Sequence, residues 1–406
     1  MPRVSEEIAI TAEDLAGVSS FDDLARLFHE KLNWPRPDWP TFKDVAHLYG
    51  IPQSDIPGVT ALAAVQKLDE WQQWGIFLVD FGDNQLRRSD LRKILHKVAE
   101  EARKEHANPV WPHDNILFIC KHRDGWTLGY FRGENLANAK LHCFGWSDPH
   151  RARTALTRNL PELRWDNQEN WERAWDAERL TKEFFSDYRK VFEQVEKMVV
   201  GLETDNARRF TQSLFNRLMF LCFLQEKGWL EFNKERKDYL FKLHEEFVPY
   251  NEKNYHEKRF YDRLRLLFFS GLNSKNHAGG ARKYLEKLIG KIPFLNGGLF
   301  EADPVLDRAD VYVPDEAFPI IFDLFKRYTF TVTESTPLDV EVALDPEMLG
   351  KIFEELVIGR HEVGSYYTPR PIVSFMCKEA LKGYLQDACP SDLSPDEWNK
   401  QIYETR

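Results

Sequence analysis

Residues 115–131 have the sequence NILFICKHRDGWTLGYF, and this stretch decides the fold class. Its two apolar, partly β-branched halves are typical of β-strands. Asp124-Gly125 stands between them and favours a tight hairpin turn. The stretch therefore predicts an antiparallel pair of strands. The segments 75–81 (GIFLVDF) and 140–146 (KLHCFGW) have a similar composition and predict two more strands.

Helical patterns surround these strands. Residues 1–70 predict short helices and loops, and residues 89–104 predict a basic amphipathic helix. From about residue 170 to 290 the pattern is mainly helical, with one long segment at 171–200. A further helix is predicted at 208–227, where five side chains share one face: Phe210, Leu214, Leu218, Leu221 and Cys222. Strands and helices in this arrangement favour a mixed α/β fold class.

The composition indicates a folded, acidic protein. The 406 residues carry a net charge of −10, and 14% of them are aromatic. This charge is not typical of a nucleic-acid-binding protein, although it is compatible with a local basic face. The five cysteines form no CxxC pair and have no zinc-ligand spacing with histidine, which fits a reducing compartment. No apolar run approaches the roughly 20 residues of a membrane span, so we expect a cytoplasmic protein without a membrane partner.

Residues 364–370 (GSYYTPR) predict the start of a helix that binds an anionic group. Thr368 can cap the helix through its side-chain oxygen, and Pro369 suits the first helical position. The free amides and the helix dipole would then face a carboxylate or a phosphate. Taken alone, the same residues are also consistent with an ordinary capped helix that binds nothing.

Three more segments precede this one in a characteristic order. They are residues 220–230 (FLCFLQEKGWL), 293–301 (PFLNGGLFE) and 344–354 (LDPEMLGKIFE). Together with residues 364–370 they resemble the middle of type IIG restriction-modification enzymes and of the PglX-like adenine-specific DNA methyltransferases of BREX phage defence. The resemblance covers roughly residues 170–385.

The resemblance implies that S-adenosylmethionine is the cofactor and that the complete enzyme methylates the amine of adenine in DNA. It assigns cofactor binding to Tyr366, Tyr367, Thr368 and Pro369, at the helix start called motif X. The glycine-rich cofactor loop and the Asn-Pro-Pro-Tyr motif of such enzymes are not found in this sequence. The chain is therefore expected to be a fragment or one half of a split enzyme, and no methyltransferase catalytic residue is assigned.

The domain organisation implied by the resemblance has four parts. An N-terminal helical segment (1–70) precedes an α/β nuclease-like domain (71–165), a helical connector (166–345) and the start of a doubly wound methyltransferase domain (346–406). The expected partners are double-stranded DNA and the missing methyltransferase core or other defence-system subunits. Two alternatives stay open: a non-catalytic DNA- or partner-binding scaffold for a separate methyltransferase core, and a metal-dependent nuclease that acts alone.

Candidate nuclease residues lie at the ends of the predicted strands. Asp80, Asp83 and Asp114 are carboxylates that could bind Mg²⁺, and Lys121 could steady an attacking water molecule. However, Ile119 occupies the position two residues before Lys121, where such a site would need an acid. The alternative is an α/β domain without nuclease activity.

Two basic clusters are candidates for contacts with DNA phosphates. One comprises Arg87, Arg88, Arg92, Lys93 and Lys97, and the other comprises Arg151, Arg153 and Arg158. Solvated surface is the alternative for both. The tryptophans at 126, 146, 165, 171 and 175 are predicted to pack in cores and not to stack on bases. For Asn296-Gly297-Gly298 the prediction is a tight turn with positive φ, and the alternative is a loop near cofactor or DNA.

Overall fold

A seven-stranded mixed sheet organises the described part of the chain, and its strands are adjacent in chain order. The strands are β1 (Thr41–Phe42), β2 (Ala61–Val65), β3 (Gly75–Asp80), β4 (Ile116–His122), β5 (Gly125–Arg132), β6 (Lys140–Trp146) and β7 (Asp339–Glu341). The four predicted strands and the α/β class are thereby confirmed. The structure is a computed structural model that describes residues 9–42, 50–102, 115–132, 140–248, 258–274, 280–295, 297–331, 339–344, 368, 370–387, 394 and 398.

The strand directions follow from the connections. Helix α3 (Arg88–Ala102) carries the chain across the sheet between β3 and β4, so these two strands are parallel. The predicted hairpin joins β4 to β5, and these strands are antiparallel. Gly125 opens β5 with φ of 139°. A Cβ atom at Gly125 would lie 2.2 Å from the carbonyl oxygen of Trp146, so this position requires glycine.

Strands β1 and β2 differ from the prediction of helices and loops for residues 1–70. The sequence of β2 is ALAAV, and three of its five residues are alanine, which has low intrinsic β propensity. Antiparallel pairing with β3, which places Ala61 opposite Asp80 and Ala63 opposite Leu78, makes this segment a strand. Long-range pairing therefore outweighs local propensity here.

The two faces of the sheet pack against different layers. On one face, side chains of β3 and β4 such as Phe77 and Phe118 contact α3 through Leu91, Ile94 and Val98. This apolar core includes Cys120 and Cys143, and burial raises the pKa of the Cys120 thiol. The other face is covered by aromatic side chains and by α2 (Phe21–Leu32). The sheet is thus the middle of three layers.

A group of aromatic rings, the tryptophan cluster, forms the second core. It comprises Phe28, Trp34, Trp39, Trp74, Tyr130, Trp165, Trp171 and Trp175, all of them buried. Neighbouring rings have centroids 5.0–6.1 Å apart, as for Trp34 with Trp165 and Trp74 with Trp175. The predicted core role of tryptophans 126, 146, 165, 171 and 175 is confirmed, because each is at most 8% exposed. The cluster joins residues from the segments 1–70, 71–165 and 166–345, and residues 1–346 form one compact unit.

Helices make up most of the chain between β6 and β7. After α1 (Ala12–Ala16), α2 and α3 come α4 (Ala177–Glu196), α5 (Thr204–Glu226), α6 (Tyr239–Glu245), α7 (Phe260–Arg265), α8 (Gly280–Ile289) and α9 (Ala317–Lys326). The five residues predicted to share one face of α5 are all buried. None of the helices in the described ranges has both the length and the apolar character needed to cross a membrane.

The helix predicted at 171–200 is interrupted. Residues Trp165–Trp175 form 3₁₀ turns, and α4 begins only at Ala177. Asp176 has an extended backbone, and its side chain accepts a hydrogen bond of 3.0 Å from the amide of Arg179. An aspartate in this position satisfies an amide of the first helical turn. The cap therefore starts a new helix where apolar periodicity alone predicted a continuous one.

A buried ion pair fixes the segment 297–307 against α5. Arg217 and Asp307, whose side chains are 4% and 2% exposed, form two hydrogen bonds of 3.0 Å with each other. Arg217 also donates to the carbonyl oxygens of Leu299 and Glu301, at 2.9 and 3.0 Å. Both partners of this pair are therefore satisfied inside the protein.

This arrangement corrects the prediction that positive φ shapes the Gly297-Gly298 turn. Gly297 has an extended backbone with φ of 179°, and Gly298 begins a 3₁₀ turn that ends at Phe300. Neither is among the described residues with positive φ, and Asn296 lies outside the described residues. Contacts of Arg217 with the carbonyl groups that follow hold the segment in place.

His244 in α6 is expected to make stability depend on pH. Its ring lies among Phe260, Phe318 and Phe322, with centroids 4.8, 6.2 and 5.1 Å away. Burial lowers the pKa of His244, and the nearby Asp315 opposes this effect. Since the unfolded chain then takes up the proton more readily, the free energy of unfolding should fall as pH drops below about 6.5.

The measurement is the loss of Tm between about pH 7.5 and about pH 5.5, where an unperturbed histidine titrates. His244→Gln should show a smaller loss than the wild type. His150→Gln, at an exposed position, is the matched control and should lose as much as the wild type. An equal loss in His244→Gln and the wild type would contradict the prediction.

Candidate functional site

The predicted cofactor site lies at the start of α10 (Arg370–Asp387), in the unit formed by residues 347–406. The helix begins at Arg370, close to the predicted start at Pro369. Thr368 is described and exposed, whereas Tyr366, Tyr367 and Pro369 lie outside the described residues. Cofactor binding by these four residues therefore stays a prediction. The segment 345–354, another part of the resemblance, also lies outside the described residues.

Helix α10 has 18 residues, and its large apolar side chains are exposed. The exposed fraction is 65% for Phe375, 59% for Met376 and 71% for Tyr384. A long helix has a full dipole at its N-terminus, the end next to Thr368. This end is therefore suitable for an anionic group.

Two of the candidate nuclease residues, Asp80 and Lys121, are neighbours. They pair in register across the parallel strands β3 and β4, and therefore lie on the same face of the sheet. The Oδ1 atom of Asp80 accepts a hydrogen bond of 2.7 Å from the amide of Gly82. Asp83 is exposed in the turn after β3, and Asp114 lies outside the described residues. Within the described ranges, no three His, Cys, Asp or Glu side chains are close enough to hold a metal ion.

Asp80 also lines a cavity that the sequence did not predict, here called the α2–sheet cavity. Its volume is about 260 Å³. The lining residues are Phe21, Asp22, Trp39, Thr41, Ala61, Ala63 and Asp80, together with Leu62 and Leu78. No motif connects residue 22 with residue 80, because their proximity arises from the packing of α2 against the sheet. The one sequence feature that relates to this cavity is the capping box formed by Ser20 and Asp23, because it sets the residue at which α2 begins.

The first basic cluster lies on and just before α3. Arg87 is exposed, and Arg92 lies over the ring of Phe131, 5.7 Å from its centroid. The Nζ atom of Lys93 donates to the carbonyl oxygen of Asp55. Arg88 and Lys97 are partly exposed. The structure thus places this cluster at the surface, and its contact with DNA phosphates stays a prediction.

The second basic cluster is part of an internal network of ion pairs. Arg151 pairs with Glu226 and Asp238, and Arg153 pairs with the same Asp238 at 3.6 Å. Arg153 also stacks over Phe241 at 5.3 Å. Burial lowers the pKa of Arg153. Because both charges are compensated by carboxylates, this geometry argues against the predicted phosphate contacts of Arg151 and Arg153.

Arg158, the third member, is held in a similar way. It forms an ion pair with Glu183 and donates a hydrogen bond of 2.8 Å to the hydroxyl of Tyr328. Its guanidinium carbon lies 4.7 Å from the centroid of the Tyr328 ring. A cavity of about 110 Å³ is lined by Arg151, Arg153 and Glu226 of the network and by the rings of Phe241, Phe325 and Tyr328. Burial raises the pKa of Glu226 in its wall, and the charge of Arg151 opposes this effect. We interpret the second cluster as an element that joins β6, α5 and the segment after α9.

Comparison with known proteins gives one relevant similarity. The chain is 30% identical over 182 residues to a protein of Methanocaldococcus jannaschii named "Putative type II restriction enzyme and methyltransferase RM.MjaORFECS2P". The aligned region is 43% of this chain and 15% of that protein, so the chain spans a small part of its relative. No family model matches the chain, and no solved structure matches it. The chain is thus related in sequence to a restriction-modification protein.

Proposed function

We propose that the chain is the N-terminal and middle part of a DNA restriction-modification protein. The complete protein would transfer a methyl group from S-adenosylmethionine to the exocyclic amine of adenine. The observation that carries this proposal is the similarity to the M. jannaschii protein named as a restriction enzyme and methyltransferase. The segments 220–230, 293–301, 344–354 and 364–370, which follow one another in this order along the sequence, support the same class of protein.

In this proposal α10 positions the cofactor. Thr368 would cap the helix, and the amides that follow would face the carboxylate of the methionyl group. Tyr366, Tyr367 and Pro369 would complete that part of the site. Because no Asn-Pro-Pro-Tyr motif is found in this sequence, the chain's own residues would bind and orient the cofactor while another polypeptide segment binds the adenine. Double-stranded DNA would be the substrate, and other defence-system subunits are further proposed partners.

The test is calorimetric measurement of S-adenosylmethionine binding. The chain is measured alone and after mixing with a methyltransferase core that carries the glycine-rich loop and the Asn-Pro-Pro-Tyr motif. We expect binding in the mixture. Thr368→Ala should weaken it about fivefold, since losing a helix cap costs about 1 kcal/mol.

Ser374→Ala is the matched control, because it removes an exposed hydroxyl from the second turn of the same helix and not from the capping position. It should leave the affinity unchanged. If neither arrangement binds the cofactor, or if Thr368→Ala and Ser374→Ala behave alike, the assignment of this helix start to the cofactor fails.

A further inference from the structure

The α2–sheet cavity exists because small side chains occupy its floor. Ala61 and Ala63 of β2 pair with Asp80 and Leu78 of β3, and all four residues line the cavity. Since successive side chains of a strand alternate between faces, Ala61 and Ala63 lie on the same face of the sheet. A methyl group at each of these positions leaves a space of about 260 Å³ between the sheet and the start of α2.

The aromatic walls of the cavity are held in place by neighbouring rings. Phe21 meets Trp126 edge to face, with centroids 5.3 Å apart and an angle of 89° between the rings. Trp39 is 6% exposed and contacts Phe28 and Trp34, at 5.7 and 5.3 Å. Because these partners belong to packed cores, the walls are preformed. A ligand would not have to order them on binding.

The acidic side chains of the cavity have no basic partners among the described residues, although the Oδ1 atom of Asp80 accepts a hydrogen bond of 2.7 Å from the amide of Gly82. Asp22 and Asp80 both line it, and neither has an ion-pair partner within the part of the chain that the structure describes. No lysine or arginine is among the lining residues.

We propose that the α2–sheet cavity binds a small organic cation with an apolar stem, of the size of an arylalkylamine. The faces of Phe21 and Trp39 would attract the positive charge. Asp22 and Asp80 would form charge-assisted hydrogen bonds with an ammonium group. Ala61, Ala63 and Leu78 would contact the stem. This proposal does not depend on the methyltransferase function.

The ligand class is tested by calorimetry with three probes that share a phenyl ring and a short alkyl chain. They are the phenethylammonium cation, neutral 2-phenylethanol and the 3-phenylpropanoate anion. We expect the cation to bind, the alcohol to bind at least about fivefold more weakly, and the anion not to bind. Equal binding of the cation and the alcohol, or no binding of the cation, would overturn the proposal.

The location is tested with matched variants. Asp22→Asn and Asp80→Asn should each weaken phenethylammonium binding by roughly threefold to fivefold, as expected for partly exposed ion pairs. Asp83→Asn removes an exposed carboxylate close to Asp80 that does not line the cavity, and it should leave binding unchanged. If Asp83→Asn weakens binding as much as Asp80→Asn does, the cation is attracted by surface charge and the proposal fails.

Ala63→Leu gives an independent test, because the larger side chain would fill the floor of the cavity. We expect binding of phenethylammonium to be lost while the Tm of the protein stays within a few degrees of that of the wild type. Unchanged affinity in the folded Ala63→Leu variant would contradict the location. Should this variant fail to fold, the two aspartate variants decide the question.

Discussion

Replacing Asp307 by alanine is expected to lower the free energy of unfolding by about 3–5 kcal/mol, the range found when one partner of a buried ion pair is removed. The guanidinium group of Arg217 would remain in an interior where its side chain is only 4% exposed. Its hydrogen bonds to Leu299 and Glu301 would not compensate the charge. The amide of Asp303, which donates to Asp307 at 2.9 Å, would also lose its acceptor.

Urea denaturation of the wild type and the Asp307→Ala variant measures this effect through the shift of the unfolding midpoint. Asp38→Ala is the control, because it removes one partner of the exposed pair between Arg36 and Asp38, whose N–O distance is 3.1 Å. This exposed pair should contribute no more than about 1 kcal/mol. Similar shifts for Asp307→Ala and Asp38→Ala would mean that the Arg217–Asp307 pair has no special role in stability.

A double variant distinguishes the buried charge from the loss of packing. Arg217→Met combined with Asp307→Leu replaces both charges by apolar side chains, and it should be less destabilised than Asp307→Ala alone. If the double variant is at least as destabilised, the contacts of Arg217 with the carbonyl groups of Leu299 and Glu301 dominate. That outcome would move the stabilising role from the ion pair to the backbone contacts of segment 297–307.

The strands that were predicted are those whose local composition and tertiary environment agree. β3 and β4 are nearly continuous apolar runs of ordinary strand length with two β-branched residues each, and they are buried on both faces of the sheet. β2 has no such signal, because its alanines become a strand only when β3 is beside them. The same reason applies to β1 and β7, of two and three residues, whose short segments carry little periodicity.

Proximity within the candidate sites was predictable only where it follows from strand order. Asp80 and Lys121 end successive strands, and parallel pairing places them side by side. The partners of Arg151, Glu226 and Asp238, are 75 and 87 positions away in the sequence, so a basic run gave no sign that its charges are compensated. The contribution of Asp22 to the α2–sheet cavity depends on how α2 packs, which no local pattern encodes.

Replacing Trp34 by alanine is the second change with a large expected effect. The Trp34 ring is fully buried and stacks on Trp171 at 5.3 Å with an angle of 11° between the rings. Its indole N–H donates a hydrogen bond of 2.9 Å to the carbonyl oxygen of Leu163. Truncation would leave a cavity and an unpaired carbonyl group. We expect a loss of about 3–5 kcal/mol, the usual range for a buried tryptophan changed to alanine.

Trp71→Ala is the matched control, because Trp71 is 72% exposed and its removal should change stability by no more than about 0.5 kcal/mol. Both variants are compared by urea denaturation and by limited proteolysis.

Limited proteolysis shows which parts of the chain the cluster stabilises. Since Trp34 belongs to the segment 1–70 while Trp165 and Trp171 lie well beyond it in sequence, Trp34→Ala should increase cleavage in both parts of the chain. Cleavage confined to residues 1–70 would mean that this segment is only attached to the sheet unit. A stability loss no larger than that of Trp71→Ala would contradict the central role of the tryptophan cluster, whereas cleavage throughout residues 1–346 would show that the cluster unites this unit.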